Sequence, residues 1–267
     1  MRQFDFGKNW SEYSAKALSD ARVRQAREDF VRLMTQGSVD LEGTSFLDIG
    51  FGQGLSLLCA SASGAQAVGC DINPLCAEVL ARNRAHFPED AKSAIPVVVG
   101  SILDNATVER LRLVSPGGAG YDVVHSWGVL HHTGRMWQAI DNAASLVRPG
   151  GKLVLALYNR HWTSPAWTLI KRAYVWSPRL LQRAMITILY PIILGAKWLV
   201  TGRDPMAMDR GMDFYYNVID WVGGYPYEYA SIDDVTKYLA GKGFSLGLSV
   251  LAGVPTGCNE FAFRRMA

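Results

Sequence analysis

Three alternating glycines, Gly50, Gly52 and Gly54, follow an apolar segment that carries Asp48. This pattern predicts a strand that runs into a loop whose backbone approaches a ligand closely, because a Cβ at such positions would collide with the ligand. Asp71 follows roughly 20 residues after Gly50, at the end of a second apolar run. A carboxylate at this offset reaches the hydroxyls of a ribose. Together the two features predict a site for an adenosine.

The spacing of the glycines bears on the kind of ligand. Dinucleotide-binding loops read G-x-G-x-x-G and place a diphosphate at a helix N-terminus, whereas single residues separate the glycines here. Asp48 lies two residues before the first glycine, where its charge would repel a diphosphate. A carboxylate at this place suits a ligand with a cationic amino-acid group.

Three further segments follow in a fixed order. They are 97–104 (VVVGSILD), 121–133 (YDVVHSWGVLHHT) and 146–158 (LVRPGGKLVLALY). Together with the glycine loop, they resemble the motifs of class I S-adenosylmethionine-dependent methyltransferases over roughly residues 44–158, and residues 231–267 fit the end of that fold less specifically. The resemblance implies S-adenosylmethionine (S-adenosyl-L-methionine) as the cofactor and methyl transfer as the reaction.

The resemblance also implies which residues surround the adenosine. Asp71 and Ile72 would lie at the ribose, and Ser101 and Ile102 at the adenine. Many relatives have an acid where this chain has Ser101, so the adenine contact is expected from backbone and the Ser101 hydroxyl, with Asp104 as an alternative.

The methionine part of the cofactor would lie near Ser126 and Trp127, at the end of the fourth strand. Trp127 either offers the face of its ring to the sulfonium cation or packs beneath the segment that follows the fifth strand. Tyr13 either contacts the cofactor or belongs to a structural cap. The expected cofactor-binding residues are Asp48, Gly50, Gly52, Gly54, Asp71, Ile72, Ser101, Ile102, Ser126, Trp127 and Tyr13.

His131 and His132 follow the fourth strand in the turn that, by the resemblance, faces the methyl donor. A general base is needed only when the acceptor atom carries a proton, as a hydroxyl or an ammonium does. Adjacent residues of a helical turn point about 100° apart, so one of the two histidines is expected to face the acceptor. The alternative is that both hold the turn together through hydrogen bonds. Asp213 and Glu228 are the other candidate catalytic residues.

Aromatic and polar residues mark the expected acceptor site. The fifth predicted strand ends in a tyrosine, and residues 210–230 contain five tyrosines and one tryptophan. Rings with hydroxyl groups suit the wall of a pocket, and a structural collar is the alternative. The candidate acceptor contacts are Tyr158, Asn159, His161, Tyr215 and Tyr225.

Strands and helices alternate through the middle of the chain, which predicts a parallel sheet covered on both faces. The predicted strands cover 44–49, 66–71, 95–99, 121–126 and 151–158, and the helices between them 53–62, 74–86, 105–112 and 135–147. A helix at 231–242 and strands at 244–250 and 258–264 complete the sheet. The expected fold is a doubly wound, Rossmann-like α/β sheet of seven strands, the last antiparallel. Its parts are an N-terminal helical cap (1–43), a cofactor-binding core (44–158 and 231–267) and an inserted substrate lid (159–230).

The insertion at 159–230 leaves the carboxyl end of a strand, where open α/β sheets bind ligands. Residues 160–210 hold eight Lys or Arg and two acids, a local charge of +6 in a chain of net charge +3. The apolar stretch 184–200 is shorter than the roughly 20 residues of a membrane span and contains Pro191 and Lys197. Four tryptophans among basic residues are typical of surface-lying membrane elements. We therefore expect a packed lid over an apolar acceptor, contact with an anionic membrane surface, or both.

The composition bears on the size of the core, on metal binding and on the location of the protein. With 267 residues, 49% of them hydrophobic, the chain can bury a large core. Its four cysteines lack the spacing of metal ligands, so no metal is expected. No apolar run of a signal peptide follows the first residues, so the protein is expected to be cytoplasmic, with possible peripheral contact to the membrane.

The expected reaction is methylation of a small or lipid-like acceptor, with oxygen ahead of nitrogen and carbon as the acceptor atom. A nucleic-acid methyltransferase is disfavoured, because no Asn-Pro-Pro-aromatic sequence follows the fourth strand. A catalytically silent protein that binds the cofactor is the alternative outside the enzymes.

Overall fold

The computed structural model describes residues 4–87, 94–118, 120–208 and 210–267. Its strands are β1 (Ser45–Ile49), β2 (Gln66–Asp71), β3 (Val97–Val99), β4 (Tyr121–Trp127), β5 (Val147–Tyr158), β6 (Phe244–Val250) and β7 (Cys258–Arg265). They form a seven-stranded sheet in the order β3-β2-β1-β4-β5-β7-β6. Strands β1 to β5 pair in parallel, and β7 runs antiparallel to β5 and β6. The predicted sheet with an antiparallel last strand is confirmed.

Helices cover the sheet and extend beyond it. Before the sheet come α1 (Phe6–Lys16) and α2 (Asp20–Gln36), and the parallel strands are joined by α3 (Leu55–Ala62), α4 (Leu75–Asn83), α5 (Asn105–Leu113) and α6 (Met136–Ser145). The insertion forms α7 (Ser164–Trp176), α8 (Arg179–Thr201) and α9 (Phe214–Gly223), and α10 (Ile232–Ala240) leads back to the sheet. Ser231 and Asp234 start α10 with a reciprocal capping box, which satisfies amide groups that a helix N-terminus leaves unpaired.

Two apolar layers hold the sheet between the helices. Neighbouring residues of a strand point to opposite faces, so Phe46 packs against α2 and α3 on one face. Leu47 faces the other layer, which α5, α6 and α10 complete. Both side chains are fully buried, and the core therefore fixes the strand ends from both sides.

Two elements differ from the sequence prediction. Helix α1 was not expected, and it begins where the Asp5 carboxylate accepts a hydrogen bond from the Lys8 N–H at 3.1 Å. Strand β5 begins at Val147 rather than at 151, because Val147 already pairs with Tyr121 before the pairing shifts to Lys152 and Val123. Pro149, Gly150 and Gly151 lie inside this irregular stretch.

Helix α8 is the least buried long helix of the insertion. Of its described residues only Ile186 is buried, and Leu180, Leu199 and Trp198 are each more than half exposed. The helix has 23 residues and is long and apolar enough to cross a bilayer by length and composition. The helix extends beyond the apolar stretch 184–200 at both ends, and Pro191 lies inside it without ending it.

Candidate active site

The carboxyl ends of β1, β2 and β4 open into a cavity of about 1190 Å³. Phe6 and Trp10 of α1 line one side, and Trp167, Phe214 and Trp221 of the insertion line another. Pockets for a drug-sized ligand typically measure about 300–1,000 Å³. The volume is therefore sufficient for a nucleoside cofactor and a second small molecule side by side.

The glycine loop has the backbone that its sequence predicts. Gly50, Gly52 and Gly54 all adopt left-handed conformations, with φ of 73°, 52° and 79°. A Cβ at Gly52 would lie 3.0 Å from the Trp10 ring nitrogen, and one at Gly50 would collide with Val129. Glycine is thus required by conformation and by space. Gly50 and Gly52 line the cavity, whereas Gly54 lies against Leu80 and does not.

Asp71 ties this loop to the end of β2. Its Oδ2 accepts a hydrogen bond from the Gly52 N–H at 3.0 Å, and its Oδ1 accepts one from the Asn73 N–H at 2.8 Å. Burial raises the pKa of the Asp71 carboxyl, and these two amide donors oppose the shift. The Cys76 thiol is a third donor to this carboxylate. Since a carboxylate can accept about four hydrogen bonds, Asp71, which lines the cavity, retains capacity for a ribose hydroxyl group.

Three of the residues expected at the adenosine line the cavity beside Asp71. They are Ile72, Ser101 and Ile102, and Ile72 is 58% exposed, which leaves a free apolar surface for a flat ring. Asp104 does not line the cavity but precedes α5. The structure therefore gives no support to Asp104 as a replacement for the missing acid.

At the end of β4 the side chains alternate between the cavity and the sheet. His125 and Trp127 line the cavity, and His125 Nδ1 lies 2.7 Å from Asp48 Oδ1, with both residues buried. Ser126 points the other way and donates to the carbonyl of Ile49 at 2.9 Å. The expected contact between Ser126 and the cofactor is therefore corrected, because strand residues alternate in direction.

The face of the Trp127 ring is covered by a cation of the protein itself. The Arg210 guanidinium lies 4.0 Å from the centroid of that ring.

The side chains of His131 and His132 point in different directions, as expected for adjacent residues of a turn. His132 lines the cavity, and its Nδ1 lies 2.7 Å from the carbonyl of Pro226. A carbonyl only accepts, so Nδ1 carries the proton and Nε2 is the basic nitrogen of the neutral ring. Burial lowers the pKa of His132 to about 3, so this ring is neutral at physiological pH.

His131 lies behind the cavity wall instead. It is fully buried, and its Nδ1 accepts a hydrogen bond from the Tyr158 N–H at 3.2 Å. Burial lowers the pKa of His131 well below its ordinary value. Its catalytic assignment is therefore corrected, since the ring supports β5 and does not line the cavity.

The two candidate carboxylates outside the core serve as helix caps. Asp213 accepts hydrogen bonds from the first amides of α9 and pairs with Arg22 at 2.7 Å. Glu228 accepts from the Met136 N–H at 3.0 Å, at the start of α6. Neither lines the cavity, so both catalytic assignments are corrected: the two carboxylates lie at helix N-termini, away from the expected acceptor.

Two of the five candidate acceptor contacts, Tyr158 and His161, line the cavity. The Asn159 amide instead donates to the carbonyl of Pro255 at 3.1 Å. Tyr215 is 49% exposed, and Tyr225 packs within the helices of the insertion. These three expectations are corrected, because the aromatic stretch around α9 divides between the cavity, the helix packing and the surface.

Tyr13 is part of a structural cap. Its side chain is fully buried against Trp10 and Tyr216, and its hydroxyl donates to the carbonyl of Gly211. It does not line the cavity, so the expected cofactor contact is corrected. The α1 residue that reaches the glycine loop is Trp10.

A buried polar cluster was missed by the sequence reasoning. Asp220 lines the cavity, and its Oδ1 accepts a hydrogen bond from Asn9 Nδ2 at 2.6 Å. Lys171 is fully buried nearby, donates to the Trp221 carbonyl and lies 4.5 Å from the centre of the Trp221 ring. Burial raises the pKa of Asp220 to about 8 and lowers the pKa of Lys171 to about 7. Nothing in the spacing of these residues along the chain indicated that they meet.

The chain matches a family model described as a methyltransferase domain over residues 17–187. Curated relatives include the ubiquinone biosynthesis O-methyltransferase of Nitrobacter winogradskyi, 26% identical over 182 residues, which are 64% of this chain and 64% of that protein. The enzyme of the same name from Coxiella burnetii is 23% identical over 173 residues, which are 65% of this chain and 67% of that protein. The match thus spans about two thirds of the length of these relatives.

Solved structures share the fold. Magnesium protoporphyrin IX methyltransferase from Synechocystis, solved with bound SAH, has a TM-score of 0.53 and 16% identity, with 91% of this chain and 83% of that chain covered. PKMT2 from Rickettsia typhi, solved with AdoHcy, has a TM-score of 0.58 and 15% identity, with 86% and 52% covered. At these identities the likeness extends to the fold alone.

Proposed function

Because the chain belongs to the class I S-adenosylmethionine-dependent methyltransferases, we propose that it transfers a methyl group from this cofactor to an oxygen atom of a small, apolar acceptor. Membership of this family is the observation that supports methyl transfer as the reaction. The choice of oxygen is supported by the names of the curated relatives, which are O-methyltransferases.

The residues of the glycine loop fit this cofactor. Gly50 and Gly52 line the cavity with backbone alone, Asp71 retains acceptor capacity for a ribose, and the Asp48–His125 pair suits an ammonium group. When bound, the cofactor supplies an already activated methyl group on a sulfonium, so the protein's work is alignment and exclusion of water.

The acceptor compartment is the part of the cavity beneath the insertion. Its walls are aromatic, with Tyr158, Trp167 and Trp221 around the polar side chains of His132 and Asp220. Such a pocket favours a flat apolar molecule with one hydroxyl group. His132 Nε2 is the atom best suited to accept the proton of that hydroxyl, since Nδ1 is held in its protonated form by Pro226.

A second part of the proposal concerns the outer face of the insertion, which we infer to lie on an anionic membrane surface. Exposed Trp176, Leu180 and Leu181 lie among the exposed Arg172, Arg179 and Arg183. Apolar side chains framed by cations are the composition of interfacial helices. This surface would bring the cavity to lipid-like acceptors.

Methyl transfer from radiolabelled cofactor into fractionated extract tests the function. We expect label in an apolar, base-stable product that vanishes when phenolic or alcoholic hydroxyls are blocked beforehand. The Asp71→Ala variant serves as the control with impaired cofactor binding. Label in amine or nucleic-acid fractions would contradict the proposal, and an absence of labelled product with wild-type protein that binds S-adenosylhomocysteine would favour a silent cofactor-binding protein.

A further inference from the structure

Two cationic residues of the insertion, Lys197 and Arg210, line the cavity, and Arg210 contacts the helix that follows the glycine loop. The Arg210 guanidinium stacks on Trp127 at 4.0 Å and donates a hydrogen bond to Ser56 Oγ at 3.0 Å. Ser56 lies in the first turn of α3, directly after the loop. Arg210 thus lies at the opposite side of the loop from Asp71.

The backbone at Arg210 is fixed by the N-terminal helices. The residue has a left-handed φ of 58°, a conformation that non-glycine residues adopt only where the surroundings hold them. Its N–H donates to Asp29 Oδ2 of α2 at 2.6 Å. The next residue, Gly211, accepts a hydrogen bond from Tyr13 of α1. Both contacts direct the side chain of Arg210 into the cavity.

The described carboxylates that act on the guanidinium, Glu260, Asp48 and Asp29, do so without a direct ion pair to it. Within the described ranges, no carboxylate lies within 4 Å of it. Burial lowers the pKa of Arg210, and the more distant Glu260 and Asp48 oppose that shift. An arginine side chain has five N–H donors in a planar fork that matches a carboxylate, and a bound carboxylate would form such an ion pair.

The cofactor of the proposed reaction carries one carboxylate, at the end remote from the adenosine. Asp71 ends β2 and Trp127 ends β4, on the two sides of β1, so the groups lie two strand spacings, or roughly 10 Å, apart. This separation suits a ligand whose ribose lies at Asp71 and whose amino-acid end lies over Trp127. We propose that Arg210 binds the carboxylate of the cofactor, so that the insertion itself supplies part of the cofactor site. This inference rests on the proposed use of S-adenosylmethionine.

Calorimetric titration with two ligands tests the assignment. S-adenosylhomocysteine carries the amino-acid group, whereas 5′-methylthioadenosine retains the adenosine and lacks it. We expect Arg210→Met to weaken binding of S-adenosylhomocysteine roughly 10- to 100-fold, as for a lost charge-assisted hydrogen bond. The affinity of the same variant for 5′-methylthioadenosine should stay within about twofold of the wild-type value. The affinity of Arg210→Lys for S-adenosylhomocysteine should lie between those of wild type and Arg210→Met. Arg112→Met, on the exposed face of α5, is the matched control and should change neither affinity.

The second ligand also reports whether the variant is folded. An equal loss of affinity for both ligands would show that Arg210 only maintains the shape of the cavity. Unchanged affinity for both ligands would show that the carboxylate binds elsewhere. Either result overturns the assignment. Wild-type protein that binds neither ligand would overturn the proposed function, and this inference with it.

Discussion

At the scale of single residues, His132 shows how a neighbouring carbonyl sets the direction of proton transfer. Since Nδ1 donates to the carbonyl of Pro226, Nε2 is the ring nitrogen that can accept a proton from the acceptor. Because burial lowers the pKa of the ring, it holds that proton only transiently. We expect His132→Ala to lower kcat by roughly 10²- to 10⁴-fold, the usual contribution of a general base, with the affinity for S-adenosylhomocysteine almost unchanged. Single-turnover methyl transfer and calorimetry measure the two quantities. His86→Ala, remote from the cavity, is the control, and full activity of His132→Ala would remove histidine from the mechanism.

Asp220 makes stability depend on pH. Its folded-state pKa of about 8 lies above the value of roughly 3.9 in an unfolded chain, so the folded protein holds this proton more tightly. The stabilisation is complete below the unfolded pKa and is lost as the pH rises through about 8. The free energy of unfolding of wild type, relative to Asp220→Asn, should therefore fall between pH 5 and pH 9.

Urea unfolding at several pH values checks this prediction. The expected decline is on the order of 1 to 4 kcal/mol, and Lys171→Met should change its midpoint because Lys171 acts on the same carboxyl. Asp233→Asn, on an exposed face of α10, should show no such trend. A relative stability that rises with pH would mean that Asp220 is ionised in the folded protein.

At the scale of elements, the exposed face of α7 and α8 makes a prediction about membranes. Lys171, which the sequence groups with the basic residues of this segment, is fully buried and cannot take part. We expect the triple variant Arg172→Gln, Arg179→Gln and Arg183→Gln to lose most binding to anionic vesicles, since each basic residue contributes about 1 kcal/mol at such a surface. Vesicle co-sedimentation at low and high salt measures the effect.

The matched control for that experiment lies on another helix. Replacing Arg110 and Arg112 of α5 with glutamine removes two exposed cations outside the insertion and should leave vesicle binding unchanged. If wild-type protein ignores anionic vesicles at low salt, α8 is better regarded as a lid that packs on the acceptor.

The strands and helices of the core could be predicted from the sequence because the patterns that indicate them are local. Apolar runs, the glycines at 50–54 and the capping residues at 231–234 each act on neighbouring residues, and the strands they predict agree closely with the structure. Helix α1 and the full length of α8 could not be read in this way. Helix α1 is short and packs on α4 as well as on α9, and Pro191 lies inside α8, where a sequence pattern would end the helix.

At the scale of the whole molecule, the cavity joins three parts of the chain that are far apart in sequence. If Asp71, Trp10 and Arg210 all contact the cofactor, adding S-adenosylhomocysteine should slow amide hydrogen exchange in the glycine loop, in α1 and around Gly211. At 100 times its dissociation constant the ligand should also stabilise the fold by about 2.7 kcal/mol. Protection confined to residues 44–158 would contradict a site that includes the insertion.

The same arrangement explains which site residues could be predicted. Asp48, Gly50, Gly52 and Asp71 belong to one β1–α3–β2 unit whose two strands are neighbours, so a local pattern is enough to bring them together. Arg210 and Asp220 reach the cavity only through tertiary packing, in contact with α2 and Asn9. No short-range pattern encodes such contacts, and the candidate carboxylates Asp213 and Glu228 were indistinguishable from Asp220 in sequence.

The continuity of the cavity has a practical consequence for inhibitor design. Because one space of about 1190 Å³ is lined both by the adenosine-side residues and by the aromatic walls beneath the insertion, no partition separates two ligands bound there. A single compound that joins an adenosine to an aromatic ring through a short linker would occupy both compartments. Linking two fragments in this way makes the second contact intramolecular and raises affinity without new contacts. Such bisubstrate compounds would also discriminate between methyltransferases, since the aromatic walls come from the insertion rather than from the common core.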